Sequence, residues 1–312
     1  MNAAGCLVVA GAALGAGCLA WAHHETGLFT LRRFTVPVLP PGTRDVTVLH
    51  LSDLHLTPSQ DAKIAWVRSL ADLRPDVVID TGDNMAHRHA LAPLLHALEP
   101  LRSTPGAFVM GSNDYYAPLP KNPARYLLPD ARSLRRRNDP DSLPAGELAT
   151  ALTGTGWKDL TNRRDHLDVG GLRIELVGVD DPHLDRDEFP SPAAPGGDDG
   201  RPTLRLGVTH APYVRVLDQM RADRSDLILA GHTHGGQLCV PGFGALVTNC
   251  DLDRGRAKGL HGWPGPRPDA VGGAGSTWLH VCAGLGTSPY APVRFACRPE
   301  ASLLTLTARP AV

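Results

Sequence analysis

Five times in this chain a short apolar run stops abruptly at a cluster of polar side chains. Val46-Thr47-Val48-Leu49-His50-Leu51 runs into Ser52-Asp53-Leu54-His55, and Val77-Val78-Ile79-Asp80 runs into Thr81-Gly82-Asp83-Asn84. Phe108-Val109-Met110 meets Gly111-Ser112-Asn113-Asp114, Leu204-Arg205-Leu206-Gly207-Val208 meets Thr209-His210, and Leu227-Ile228-Leu229-Ala230 meets Gly231-His232-Thr233-His234. Runs of this length and β-branched content read as buried strands. Helical patterns lie between some of them. Ile64, Val67, Leu70, Ala71 and Leu73 share one face of a helix beginning near Asp61. Leu91, Leu94, Leu95 and Leu98 mark a second helix, and Val214, Leu217 and Met220 a third. Strand, helix, strand predicts an α/β domain. Ligands of such sheets gather beyond the carboxyl ends of the strands, where all five polar clusters fall.

Collected together, Asp53, His55, Asp83, Asn113, His210, His232 and His234 offer two carboxylates, one amide and four imidazoles. Divalent ions of the Zn, Fe or Mn type accept this mixture of nitrogen and oxygen donors. Two neighbouring ions require a shared anionic ligand, and Asp83, on a tight turn after Gly82, suits that place. Alternate residues of an extended chain point the same way, so Asp53 and His55 are expected to chelate one ion if their segment stays extended. His232 and His234 have the same spacing and can turn apart to serve two ions. Each signal alone is weak, since a lone histidine is more often a satisfied structural residue than a ligand. The order of the clusters, each after a strand, carries the argument.

This arrangement resembles the calcineurin-like metallophosphoesterase family, through Asp53-Leu54-His55, Gly82-Asp83, Gly111-Ser112-Asn113-Asp114, His210 and Gly231-His232-Thr233-His234. The longer form Gly231-His232-Thr233-His234-Gly235-Gly236-Gln237 is similar to the branch of small bacterial, often membrane-anchored members. The resemblance implies an α/β fold with a two-sheet sandwich flanked by helices, in four layers α/β/β/α. It implies two divalent ions (Mn, Zn or Fe), one held by Asp53, His55 and His234, the other by Asn113, His210 and His232, with Asp83 bridging. The activity implied is hydrolysis of phosphate esters, diesters before monoesters, by a hydroxide shared between the ions. The family usually reads Gly-Asn-His-Asp where this chain reads Gly111-Ser112-Asn113-Asp114. Either Ser112 stands at the ligand position, or a one-residue shift restores Asn113 there. In both cases the histidine that assists the leaving group is missing, which implies slower turnover, substrates narrowed to good leaving groups, or a role passed to a neighbour such as Asp114 or His87. Asp83, Asn113 and Asp114 are therefore the catalytic candidates.

Ala3 to Ala22 contains no charged residue, and about 20 apolar residues span a bilayer as a helix. Residues 1–33 are accordingly expected to form a membrane anchor, with a cleaved signal segment as the alternative, and residues 34–312 the phosphoesterase domain. The partners expected are a phosphate-ester small molecule or phospholipid-like substrate, and a membrane through residues 3–22. With 31 basic and 32 acidic side chains there is no net field for nucleic acid, which weakens a tethered-nuclease reading. A metal-binding scaffold with little catalysis is the other rival, prompted by the altered third motif. Cys239–Cys250 and Cys282–Cys297 are possible disulfide pairs in an exported domain. Loops are expected over 118–145, which holds Arg135-Arg136-Arg137, over 185–202, and over the weakly structured 257–275. His87 and His89 read as exposed loop histidines, and Tyr115 and Tyr116 as packing or as a stacking surface for a base or sugar.

Overall fold

The computed structural model describes residues 3–120, 142–192 and 201–310, with side chains from residue 11 onward. The Arg135–Arg137 run lies outside the described residues. The chain opens with α1 (Ala3–Glu25), followed by β1 (Thr30–Leu39) and β2 (Val46–Leu51). Next come α2 (Asp61–Ser69), β3 (Val77–Asp80), α3 (Leu91–Leu98), β4 (Gly106–Phe108), the single-turn α4 (Ser112–Tyr115), α5 (Ala145–Thr153) and β5 (Lys158–Asp159). The second half holds β6 (Arg163–Val169), β7 (Leu172–Gly178), β8 (Thr203–Val208), α6 (Val214–Ala222) and β9 (Leu227–Ala230). It closes with a small hairpin, β10 (Cys239–Val240) and β11 (Gly244–Ala245), then β12 (Gly259–Trp263), β13 (Thr277–Val281) and β14 (Glu300–Ala308).

Two six-stranded sheets result, ordered β1-β14-β2-β3-β4-β5 and β12-β13-β9-β8-β7-β6. Their inner faces share one apolar layer, in which Val48, Val77, Ile79 and Leu304 of the first sheet pack with Ile174, Leu206, Val208 and Leu229 of the second. The outer face of the first sheet is covered by α2, α3 and α5 through Ile64, Val67, Leu94, Leu98, Leu148 and Leu152. The outer face of the second is covered by α6 through Val216, Leu217 and Met220. The strands are buried on both sides and so read as unbroken apolar runs rather than alternating ones. This is the mixed α/β architecture of two sheets flanked by helices.

β2, β3 and β4 are parallel neighbours, and so are β8 and β9 in the other sheet. Their carboxyl ends therefore deliver the five polar clusters to one end of the sandwich. Region 257–275 is more ordered than its composition implies, because β12 pairs antiparallel with β13 from Gly259 to Trp263. The Pro-containing lead-in is a full strand: β1 pairs parallel with β14 from Thr30 onward, across residue 33, the end expected for the N-terminal segment. Cys18, Cys239, Cys250, Cys282 and Cys297 are all free thiols, so neither of the two possible pairings forms.

The N-terminal apolar run is helical, but among the described residues no helix is long and apolar enough to cross a membrane. The expectation of a spanning anchor is corrected to that extent, and part of the run, residues 3–10, lies outside the described side chains. Alanine and glycine dominate α1, so its length is not matched by strong apolarity. Its last turns dock on the domain: Ala22 is buried, and its carbonyl accepts from Arg294 N at 2.8 Å.

Candidate metal centre

The loops after β2 and β3 are zipped together by backbone hydrogen bonds. Asp53 N donates to Gly82 O, His55 N to Asp83 O and Leu56 N to Asn84 O, at 2.8–2.9 Å. Asp53 and His55 do not lie on extended chain, as their spacing led us to expect. Both have left-handed backbones, with φ of 47° and 41°. Asp83, His232 and His234 share this feature, at 58°, 68° and 50°. Such conformations cost roughly 1–3 kcal/mol each and persist where surrounding structure enforces them, typically at functional sites. Gly82 is required in its own right: φ is +87°, and an added Cβ would meet the backbone N of Gly111 at 2.5 Å.

Two groups of donors result. Asp53, His55 and His234 form one; Asp53, Asp83 and His210 form the other, with the ligand atoms of each group within 4.8 Å of one another. In the first, His234 Nε2 lies 3.3 Å from Asp53 Oδ1 and 3.1 Å from His55 Nε2. Asp83 faces both groups, with Oδ2 3.5 Å from His55 Nε2 and Oδ1 3.5 Å from His210 Nε2. His232 joins the second group edge-on, its Nδ1 3.3 Å from His210 Nε2. Asp53 Oδ1 is buried without a hydrogen-bond partner, which is costly in an apolar interior unless a cation completes it. The convergence of imidazole nitrogens on carboxylate oxygens, with that orphaned atom among them, fits divalent cations of the Zn, Fe or Mn type.

The electrostatics of two of the rings suit that use. Burial holds the His55 and His232 imidazoles well below their ordinary range, keeping them neutral as ligation requires. Burial also opposes charge on His210, but Asp83, Asp181 and Asp53 outweigh it and raise this group to about 9. Burial pushes Asp83 up. Asp53 goes down despite burial, chiefly through the charge of His234.

Outer partners aim the rings. His210 Nδ1 lies 2.8 Å from Thr81 O, which leaves Nε2 to the centre. His232 is placed by its own backbone N, which donates to Asp53 Oδ2 at 3.0 Å, and its Nε2 meets Asn249 O at 3.1 Å. Arg294, wholly buried, donates to the carbonyls of His234, Cys297, Ala283, Gly284 and Gly286, knitting the histidine loop to the turn after β13.

The third motif lies against His55 and Asp83. The Asn113 side-chain amide lies 3.1 Å from His55 Nδ1, the ring nitrogen opposite the one that meets His234. Its backbone N donates to Asp83 Oδ1 at 2.7 Å. Asp114, a catalytic candidate, has no oxygen turned to the centre. Oδ2 accepts from Asp83 N and Gly111 N, and Oδ1 from Asn84 N, so it clamps the second and third loops together. His87 and His89 are exposed and turned to each other. Tyr116 is buried, whereas Tyr115 donates to Asp180 Oδ1 and lies under the Arg186 guanidinium, 3.8 Å from its ring centre.

One cluster escaped the sequence reading although it carries the same signature. The run ending at Val179 meets Asp180-Asp181-Pro182-His183, again at a strand end. The His183 ring lies 4.6 Å from that of His232, and the buried Asp181 accepts from His183 N through Oδ1. Nothing local in sequence marks Asn249 or Arg294, which reach the centre from distant loops.

The family pattern of calcineurin-like phosphoesterases matches residues 46–236, more than half of the chain. An uncharacterised metallophosphoesterase of Aquifex aeolicus is 25% identical over 92% of this chain and 95% of its own length. The UDP-2,3-diacylglucosamine pyrophosphatase LpxG of Chlamydia trachomatis is 25% identical over 91% of each chain. Phosphodiesterase YaeI of Escherichia coli is 26% identical over 91% of this chain and 90% of its own. Matched in pattern across both donor groups, the chain is a metal-dependent phosphoesterase and belongs to the calcineurin-like phosphoesterase family.

Proposed function

We propose that this enzyme hydrolyses a phosphodiester-type bond of a lipid-linked substrate, using two divalent ions held by Asp53, His55, His234, Asp83, His210 and His232. The observation that carries the reading is Asp83, whose two oxygens face the two donor groups separately. When bound, the ions supply Lewis acidity toward the phosphoryl oxygens and acidify water. The protein's own contribution is orientation. Thr81 O fixes the His210 ring, Asn113 meets the outer nitrogen of His55, and Asp114 holds the loops that carry Asp83 and Asn113. No imidazole stands at Asn113, and an amide donates a hydrogen bond without transferring a proton. A leaving group that departs without protonation is therefore favoured, such as an acidic alcohol or a phosphate of a phosphoanhydride. LpxG and YaeI, named for a pyrophosphatase acting on a diacylated sugar nucleotide and for a phosphodiesterase, support this substrate class.

The test uses metal-stripped protein reloaded separately with Mn, Zn and Fe. An aryl phosphodiester, an aryl phosphomonoester and a diacylated phosphodiester in vesicles are compared, with Asp83→Ala as control. Metal-dependent turnover fastest on the diesters, and lost in the control, is the expected result. Tight binding of two ions with no turnover of any ester would sink the reading in favour of a scaffold.

A further inference from the structure

Large apolar side chains exposed among the described residues are Leu14, Leu19, Trp21, Leu119, Val240, Phe243, Val271 and Tyr290. All but Leu119 and Val271 lie on three segments that touch one another. Leu14, Leu19 and Trp21 are on α1; Val240 and Phe243 are on the β10–β11 hairpin; Tyr290 is in the loop before β14. His23 Nδ1 at the end of α1 lies 3.0 Å from Pro292 O in that loop. Gln237 Nε2, at the base of the hairpin, donates to Ala291 O and Val293 O of the same loop, and Cys239 N donates to Phe295 O. The loop is thus sandwiched between helix end and hairpin base. The hairpin is also the direct continuation of the histidine loop, with Gly235 and Gly236 joining His234 to it.

From Gly11 to Ala20 every residue of α1 is exposed, and none from Ala3 to Ala22 is charged. An exposed, uncharged stretch of this length favours contact with an apolar surface. The aromatic residues identify that surface. Trp21 and Tyr290, each about half exposed (49% and 50%), lie on the helix and on the loop that touches it, and Trp and Tyr collect at the boundary between lipid and water. Phe243 is 62% exposed with the Arg254 guanidinium 5.1 Å over its ring, an apolar tip backed by a cation suited to lipid phosphates.

We infer that Trp21, Tyr290, Val240 and Phe243 form a bilayer-seating surface that rests the domain on the lipid headgroups beside the metal centre. The seat brings a lipid-borne phosphodiester to the histidine loop without extraction into water. This rests on the proposed lipid-linked substrate for its purpose, but contact with the bilayer is measurable without activity.

The experiment uses the full chain with vesicles of phosphatidylethanolamine and phosphatidylglycerol, part of the lipid carrying brominated acyl chains. Phe243→Trp is compared with Val271→Trp and with the unmodified chain. Extra emission from the indole introduced at position 243 should be quenched by brominated lipid at least twofold more than that from position 271. In a second arm, Phe243→Ser with Tyr290→Ser should weaken flotation with vesicles several-fold while leaving turnover of a soluble aryl phosphodiester unchanged. No vesicle binding by the full chain, or equal quenching at the two positions, overturns the seat. So does a dimer that dissociates on Phe243→Ser, since a second copy would then be the cover. Loss of all ester turnover with quenching intact would overturn the function and leave the seat standing.

Discussion

The carboxylate of Asp83 and the imidazole of His210 stand 3.5 Å apart although they follow strands of different sheets. The centre therefore staples the two halves of the sandwich together, and its ligands are tied to fold stability as well as to chemistry. Asp83→Ala removes a carboxylate whose two oxygens face His55 of one donor group and His210 of the other. Loss of the paired electrostatic stabilisation is worth several kcal/mol, so turnover should fall by at least about a thousandfold. Metal content measured by elemental analysis should drop below two ions per chain. Near-normal turnover with both ions bound would refute the bridging role.

Asn113 invites the opposite experiment, a gain. It occupies the place where an ungapped reading of the third motif has histidine, and its amide sits 3.1 Å from His55 Nδ1. Asn113→His should raise turnover on esters with poorly acidic leaving groups more than on aryl esters, because an imidazole can hand over a proton. Asn113→Ala should lower activity on both alike, by roughly 10–100-fold, as expected when an outer partner of a ligand is removed. A leaving-group series measured on the three forms decides the matter. Identical slopes for asparagine and histidine would show that position 113 does not face the departing oxygen.

What was legible in the sequence was the part that is local. Strands buried on both faces announce themselves as unbroken apolar runs, and the candidate donors follow them directly, so β2, β3 and β8 and the residues Asp53, Asp83 and His210 could be read together. Backbone conformation was not legible: the Asp53–His55 spacing suggested extended chain, whereas hydrogen bonds to the loop after β3 force both residues to positive φ. Roles that depend on three-dimensional partners were also hidden. Asp114 reads in sequence as a catalytic candidate, and only the three backbone N–H groups converging on it show a clamp. Asp181 and His183 carry the strand-end signature, but Pro182 and the polar loop beyond give the segment the look of unstructured chain.

His50 and His280 predict an acid-sensitive core. Their Nδ1 atoms lie 2.9 Å apart between the sheets, His50 Nε2 lies 3.0 Å from Thr81 Oγ1, and both rings are fully buried. Burial lowers His50 to about 3, against the opposing charge of Asp53, and holds His280 well below its usual value. An unfolded histidine titrates near 6.5. Between about pH 6.5 and 3 the unfolded chain therefore binds more protons than the folded one, and stability falls as the pH is lowered. His50 contributes a slope of up to about 1.4 kcal/mol per pH unit in that window, and His280 adds to it in the same direction. Urea midpoints at pH 7, 6 and 5 should show a smaller acid loss in His50→Gln with His280→Gln than in the parent chain. Parallel curves would mean these rings are already protonated in the fold.

Glu25 ties the N-terminal helix to the centre, and its removal should be felt at both. It is buried, accepts from Ala296 N at 3.1 Å and Cys297 N at 2.7 Å, and receives the Trp21 indole N–H. Cys297 in turn donates through Sγ to the carbonyl of His234, at 3.3 Å. Glu25→Ala strands two buried backbone N–H groups at roughly 1–3 kcal/mol each. Glu25→Gln keeps one carbonyl acceptor and should recover part of that. Because the ions bind only the folded chain, excess metal adds stability in proportion to the logarithm of its concentration over Kd. Denaturant midpoints with and without zinc therefore separate two effects. Glu25→Ala should lower the metal-free midpoint, and it should also shrink the increment that zinc adds, since the carbonyl of His234 loses the placement of its Cys297 donor. A lowered midpoint with an unchanged zinc increment would confine Glu25 to holding the helix, and leave the His234 loop independent of it.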